Sequence, residues 1–408
     1  MEFKVHRIAN GLTVIGEVNK SAKSSAVGFF VRTGSRDEDL RINGVSHFLE
    51  HMVFKGTERL SPFAVNEAFD KTGAQYNAFT SEENTVFFAA VLPEYLAEIT
   101  RLWIEMMRPA LRTEDFNIEK NVIKEEIAMY KDQPNYDVLD RCRSLYFGGH
   151  PCGHSVLGTE ETIDAMTAEQ MRGYFAGRYS PNNMVAAFAG NFDWDGIRDI
   201  ILAGCGGWES RDVKRELIDT RGKRGESRVE KANLVREHIC LMSPSVSAED
   251  PRRFAASLLS VIVGDDVGSR FFWELVDKAI AETASLEFAP MDGTGAYCTY
   301  IRCSSENAAK AMETVCKIFA DVTINGVMED ELTKAKNKVL SALVIKNELP
   351  MGRLVDLGFN WTYLGQYRPI EEEVKAVKAV TVADINALLK NYPLGEFARF
   401  SLAPAHSG

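Results

Sequence analysis

His47, Glu50 and His51, packed into five residues, are the part of this sequence whose side chains and spacing can do chemistry. On a helix, residues four apart share a face, so His47 and His51 present two imidazoles to one metal ion, with Glu50 beside that face. The order His-x-x-Glu-His is the inverted zinc-peptidase arrangement. Zinc takes neutral nitrogen donors, and a catalytic site adds a third protein ligand and an open position for water, whose pKa falls toward ~7. A carboxylate that stays off the metal takes that water's proton, and Glu50 is the natural candidate. The third ligand should come from another helix. Residues 114–130 read as that helix and carry Glu119, Glu125 and Glu126, with Glu119 and Glu126 seven apart on one face. Glu126 as ligand with Glu119 supporting it suits this spacing, but spacing alone leaves Glu125 and Glu126 both open.

The elements that must position these residues follow from periodicity. Residues 4–8 and 12–17 alternate as strands about the turn at Asn10-Gly11, and an apolar run follows at 26–31. From about residue 44 the pattern turns helical through 54, and again after Ser61-Pro62, a good N-cap followed by a good first helical residue. Strands are expected at 76–79 and 85–91, a helix with Leu96, Ile99, Trp103 and Met106 on one face, then the glutamate helix, and a strand at 184–189. Residues 209–232 are densely charged and read as a linker. Beyond it the order recurs: a strand at 238–242, helices in 251–263 and 269–280, strands at 284–288 and 296–302, then two helices, the second over 329–346. The fold class is therefore α+β, with two similar domains, 1–208 and 233–408, each a mainly antiparallel sheet with helices on one face.

The chain has 408 residues, 45% of them hydrophobic, too many for one ordinary core and too apolar for a disordered chain. No apolar run reaches the ~18 residues of a membrane span, and the start of the sequence lacks a secretory pattern, so the expectation is a cytoplasmic protein. Seven scattered cysteines without a Cys-x-x-Cys do not form a disulfide framework. A formal charge of −11 is the wrong sign for binding nucleic acid and a weak pointer to basic peptides. His150 and His154 are also four apart, but Gly148, Gly149, Pro151 and Gly153 forbid the helix that would align them, which leaves a structural loop. His6, His238 and His406 are isolated. Residues 264–268, Gly-Asp-Asp-Val-Gly, lack the Lys and Ser or Thr of a phosphate loop and read as a turn between helices.

Four blocks, HFLEHMVFKGT (47–57), YNAFTSEENT (76–85), EKNVIKEE (119–126) and YSPNNM (179–184), resemble the pitrilysin-type (insulinase, M16) metallopeptidases. The look is closest to the short subfamily that includes the mitochondrial processing peptidase. The resemblance implies one zinc ion per chain held by His47, His51 and Glu126, with Glu50 as general base and Glu119 supporting the ligands; it selects Glu126 over Glu125. It also implies that the edge strand Asn77, Ala78, Phe79 and Thr80 pairs with an extended peptide substrate, as edge-strand hydrogen bonding allows. A clamshell of the two domains around a chamber, and association as a homodimer or a heterodimer with a related subunit, are further implications.

The second half departs from the family's pattern. An Arg and a Tyr some 13 residues apart usually hold substrate there; Arg270 is present, but Glu282 stands about where the Tyr would be. The expected function is a zinc endopeptidase cleaving short or unfolded peptides. Its rivals are a catalytic subunit active only with a non-zinc partner of the same fold, and a non-hydrolytic structural relative.

Overall fold

The computed structural model describes residues 1–218 and 220–405. The chain divides into two compact units, one made of residues 1–127, 154–216 and 344–369, the other of 128–153, 217–343 and 370–408. The units therefore differ from the contiguous halves expected from sequence. Each takes in a helix from the other half.

The first unit is built on six strands, β1 (Glu2–Arg7), β2 (Thr13–Val18), β3 (Ser25–Val31), β4 (Gln75–Thr80), β5 (Thr85–Val91) and β6 (Met184–Gly190), in the order β1-β2-β6-β3-β5-β4. All neighbours are antiparallel except β2 and β6. Gly11, at φ +93°, makes the turn of the first hairpin. The helices α1 (Val45–Val53), α2 (Pro62–Thr72), α3 (Leu96–Met106) and α4 (Thr113–Lys131) supply most of one core, in which Phe29, Phe48, Phe69, Phe87 and Trp103 are buried. Ser61 caps α2 through Oγ, which accepts from Ala64 N at 3.2 Å, as the Ser-Pro pair predicts. The opposite sheet face, with Ile15, Ala26, Phe30 and Val86, is covered by Leu354 and Leu357 of the Pro350–Leu364 helix. Gly358 makes that approach possible, since a Cβ there would stand 2.1 Å from the Phe30 ring.

The second unit has five strands, β7 (Gly225–Lys231), β8 (Glu237–Ser245), β9 (Thr283–Met291), β10 (Thr294–Cys303) and β11 (Ala398–Pro404), in the order β7-β11-β8-β10-β9, with only β7 and β11 parallel. One face packs on the Arg253–Gly264, Ser305–Asn325 and neighbouring helices. The other takes Val138, Cys142 and Tyr146 of α5 (Pro134–Phe147).

Helices cover both faces of each sheet rather than the one face expected, because the second face of each is apolar too, and two further expectations need correction. Residues 225–231 are not linker but the edge strand β7, whose side chains alternate between exposed and half-buried; a charged edge strand reads in sequence like a solvated connection. Residues 269–280 do not form a regular helix: Phe272–Val276 is a π-helical turn, closed by Asp277 N donating to Phe272 O, and Ala279 leaves it at φ +52°.

Candidate metal centre

Helix α1 has an apolar side, Val45, Phe48, Leu49, Met52 and Val53, sunk in the first unit's core. Phe48 stacks on Phe116 of α4 with ring centroids 4.5 Å apart and planes 4° from parallel, which fixes the two helices side by side. One turn of α1 then faces the glutamates of α4. The start of α1 is unusual, because Gly44 at φ +95° has no side chain to cap it. Glu38 does so from outside the helix, accepting from Gly44 N and Ser46 N, both at 2.7 Å, and from Asn43 Nδ2 at 2.8 Å. Burial pushes the Glu38 carboxyl up to about 7, against the lowering effect of those donors.

His47, His51 and Glu126 each offer one ligand atom within 4.8 Å of the others, the one such group of three or more among the described residues. Nε2 of His47 lies 3.8 Å from Glu126 Oε1, and Nε2 of His51 lies 3.4 Å from Glu126 Oε2. Behind them, Nδ1 of His51 is 2.8 Å from Glu119 Oε1, and Lys55 Nζ is 2.5 Å from Glu119 Oε2. With Nδ1 turned to a carboxylate, His51 directs Nε2 into the group, as an imidazole prepared for a metal does. Two imidazoles and one carboxylate are a fitting donor set for zinc, with room in a tetrahedral sphere for a fourth ligand. Glu125 is exposed, so the structure brings Glu126 rather than Glu125 to the histidines.

The charge states follow from these contacts. Burial, then the neighbouring His51, drives the His47 pKa below its ordinary value, so this ring is neutral near pH 7. Burial would also lower His51, but the hydrogen bonds and charges of Glu119 and Glu126 outweigh it and raise its pKa to about 9 without metal. Glu126 is held low first by its hydrogen bond to His51; Glu119 is held low by His51 and Lys55 despite burial. Burial raises the Glu50 carboxyl, while Thr80 Oγ1, donating to Glu50 Oε2 at 2.6 Å, opposes that shift.

Thr80 ends β4, the edge strand of its sheet, paired with β5 on one side only. Ala78 N donates to the Asn77 side chain at 2.9 Å. The Thr80 hydroxyl and Lys55 are contacts that spacing did not single out. Lys55 lies four residues after His51, so it continues the same helix side just past the end of α1.

The other sequence candidates lie elsewhere. Arg270 belongs to the second unit, where its guanidinium spans Glu331 at 2.8 and 2.9 Å and reaches Asp321 at 2.7 Å. Glu282 pairs there with Arg236 and Arg302. His150 Nε2 meets Ile218 O at 3.1 Å and His154 Nδ1 meets Ser35 O at 3.2 Å, contacts of a structural loop. Residues 264–268 end one helix and turn. His406 falls outside the described residues.

Fold and site together define an α+β chain of two similar units with a His-His-Glu centre on an inverted His-x-x-Glu-His helix. Residues 13–160 match the family model described as Insulinase (Peptidase family M16), and residues 165–339 match Peptidase M16 inactive domain. The chain is 30% identical over 406 residues to the uncharacterized zinc protease Rv2782c of Mycobacterium tuberculosis, covering 97% of this chain and 92% of that one. It is 29% identical over 405 residues to the uncharacterized zinc protease YmxG of Bacillus subtilis, covering 99% and 98%. A crystal structure of a protease from Helicobacter pylori superposes with a TM-score of 0.92 at 18% identity, covering 99% of each chain. The chain belongs to peptidase family M16.

Proposed function

We propose that this protein is a zinc-dependent endopeptidase acting on short or unfolded peptides. The observation that carries the reading is the convergence of His47, His51 and Glu126, with Glu50 of the same helix turn hydrogen-bonded to the end of the edge strand β4. Zinc, one ion per chain, would be held by those three residues and supplies Lewis acidity toward a scissile carbonyl and its attacking water. Glu119 orients His51. An extended peptide adds to β4 along Asn77–Thr80, displacing the Asn77 side chain from Ala78 N. Glu50, whose carboxyl is made more basic by burial, accepts a proton from the attacking water and returns it to the leaving amine. Among the described residues no helix is long and apolar enough to cross a membrane.

A second reading, a catalytic subunit completed by a partner of the same fold, is favoured by one observation. The charges of Arg270 and Glu282 are spent on Glu331, Asp321, Arg236 and Arg302 within their own unit, which leaves neither disposed to hold substrate.

Quenched fluorescent peptides, with metal content measured on the same sample, test both. Chelator-sensitive cleavage with about one zinc per chain, abolished in Glu50→Gln with zinc retained, is expected. Turnover by Glu50→Gln overturns the mechanism. Zinc without cleavage favours the partner-dependent subunit, and neither zinc nor cleavage after zinc is restored favours a structural relative.

A further inference from the structure

The first unit carries a cleft of about 860 Å³ that shares no residue with the metal centre. Its walls are α3, the 57–59 loop, the Trp194–Cys205 helix and Trp208. Ile104, Ile200, Ala203 and Trp208 give it an apolar side. Its charges are mostly settled internally: Arg59 spans Glu105 with bonds of 3.1 and 2.6 Å, and Asp199 pairs with Arg198 outside the cleft.

Arg101 is exposed and donates to Ala97 O at 3.2 Å, so the cation that stands out is the half-buried Arg108. Its guanidinium is half-buried, lies 3.6 Å over the Trp208 ring and makes one hydrogen bond, to the adjacent Met107 O. Among the described residues it has no carboxylate within ion-pair distance. The carbonyls at the end of the Trp194–Cys205 helix do not stand in for one, because Asn10 Nδ2 takes those of Cys205, Gly206 and Trp208. Burial without a counter-charge pulls the Arg108 pKa down to about 10. A half-buried guanidinium without a carboxylate loses part of its hydration uncompensated, and its planar fork matches a carboxylate. Stacking on indole offsets part of the cost and holds the fork in one orientation.

We propose that this cleft binds an organic monocarboxylate, its carboxylate on Arg108 and its apolar body along Ile200, Ala203 and Trp208. The acidic side chains of Glu58, Glu105 and Asp199 at the same walls disfavour polyanions such as nucleotides. The site is independent of the peptidase reading, since none of its residues touches the His-His-Glu group.

The test is calorimetric titration of the intact protein with decanoate and with acetyl-leucine, each against its uncharged counterpart, decanol and acetyl-leucine amide. Saturable binding of at least one acid at one site per chain is expected. The uncharged counterpart should bind more weakly by about tenfold or more, as loss of charge-assisted hydrogen bonds requires. Decanoate as the tighter acid assigns the site to fatty acids, and acetyl-leucine assigns it to amino-acid or peptide C-termini. Arg108→Gln should remove the preference for the acid. Ala203→Phe, a substitution at an exposed position that fills the cleft and leaves Arg108 in place, should weaken both acids. Equal binding of acid and neutral counterpart, unchanged binding by both variants, or no saturable binding of either acid overturns the proposal.

Discussion

His51 Nδ1 stands 2.8 Å from Glu119 Oε1, and the same carboxylate reaches Lys55 Nζ through its other oxygen at 2.5 Å. One glutamate on α4 thus ties down both the second histidine of α1 and the lysine that follows the helix. The contact decides which nitrogen of His51 faces Glu126, and so whether the ring is ready to bind a metal.

Replacing Glu119 with Gln keeps the shape and removes the charge. Zinc affinity should fall by roughly 10- to 100-fold, the usual cost of losing a partner behind a metal-bound imidazole. Competition against a fluorescent zinc chelator measures it. Wild-type affinity in Glu119→Gln would remove Glu119 from the site.

The metal-free protein should show the His51 titration. Its folded pKa of about 9 lies above the ordinary 6.5, so the protonated ring favours the fold. That contribution, on the order of 3 kcal/mol, is fully present below pH 6.5 and is lost as pH rises through 9. Thermal melts of metal-free wild type and His51→Gln should differ most at pH 6 and converge by pH 10. Zinc binding at pH 7.5 should release about one proton, because a ligand nitrogen must be unprotonated. Calorimetry in buffers of different ionisation enthalpy reads that number directly, and a value near zero would show that His51 is already neutral.

Thr80 lowers the Glu50 pKa by donating to its carboxylate, and burial raises it. Thr80→Val removes the hydrogen bond and leaves burial opposed only by the charge of His51, so the Glu50 pKa rises. The acid limb of the pH profile for kcat/KM should therefore move to higher pH, with zinc content unchanged. Loss of the contact that holds the carboxylate should lower kcat at neutral pH by about tenfold. Thr80→Ser restores the hydroxyl and should restore both. An unmoved acid limb in Thr80→Val would make Thr80 a strand residue without a part in proton transfer.

The metal centre was legible because its evidence is local. His47, Glu50 and His51 occupy one helix turn, and Glu119 and Glu126 share a face of another, so helical period alone groups them. Spacing left Glu125 and Glu126 both open and the family resemblance selected Glu126; the physical reason is the helix packing fixed by Phe48 on Phe116, a contact across 68 residues of sequence that no spacing reveals. The strands β1 to β6 were legible for the same local reason. Edge strand β7 was not, since Arg228, Glu226 and Glu230 on an exposed edge have the composition of a connection. The segment assignment of the units was hidden too, because it rests on which sheet face a distant helix covers.

The last of these can be tested through Arg353 and Glu17, 336 residues apart. Arg353 Nε and Nη2 bond the two oxygens of Glu17 at 2.9 and 2.6 Å, and Tyr367 OH adds a bond of 2.6 Å to the same carboxylate. Both ionic side chains are buried, Glu17 on β2 and Arg353 on the Pro350–Leu364 helix. Without that helix, Glu17 would be a buried carboxylate with no cation, and the apolar face around Phe30 would lie open. A fragment of residues 1–208 should therefore fail to fold as a cooperative unit, although it holds the whole metal centre. Arg353→Met in the full chain should cost about 3–5 kcal/mol, the penalty for stranding one partner of a buried pair. The double variant Glu17→Met with Arg353→Met should recover much of that loss, since two apolar side chains suit the buried site. Denaturant unfolding measures all three, and a stable, cooperatively melting 1–208 fragment would show that the first unit does not depend on its distant helix.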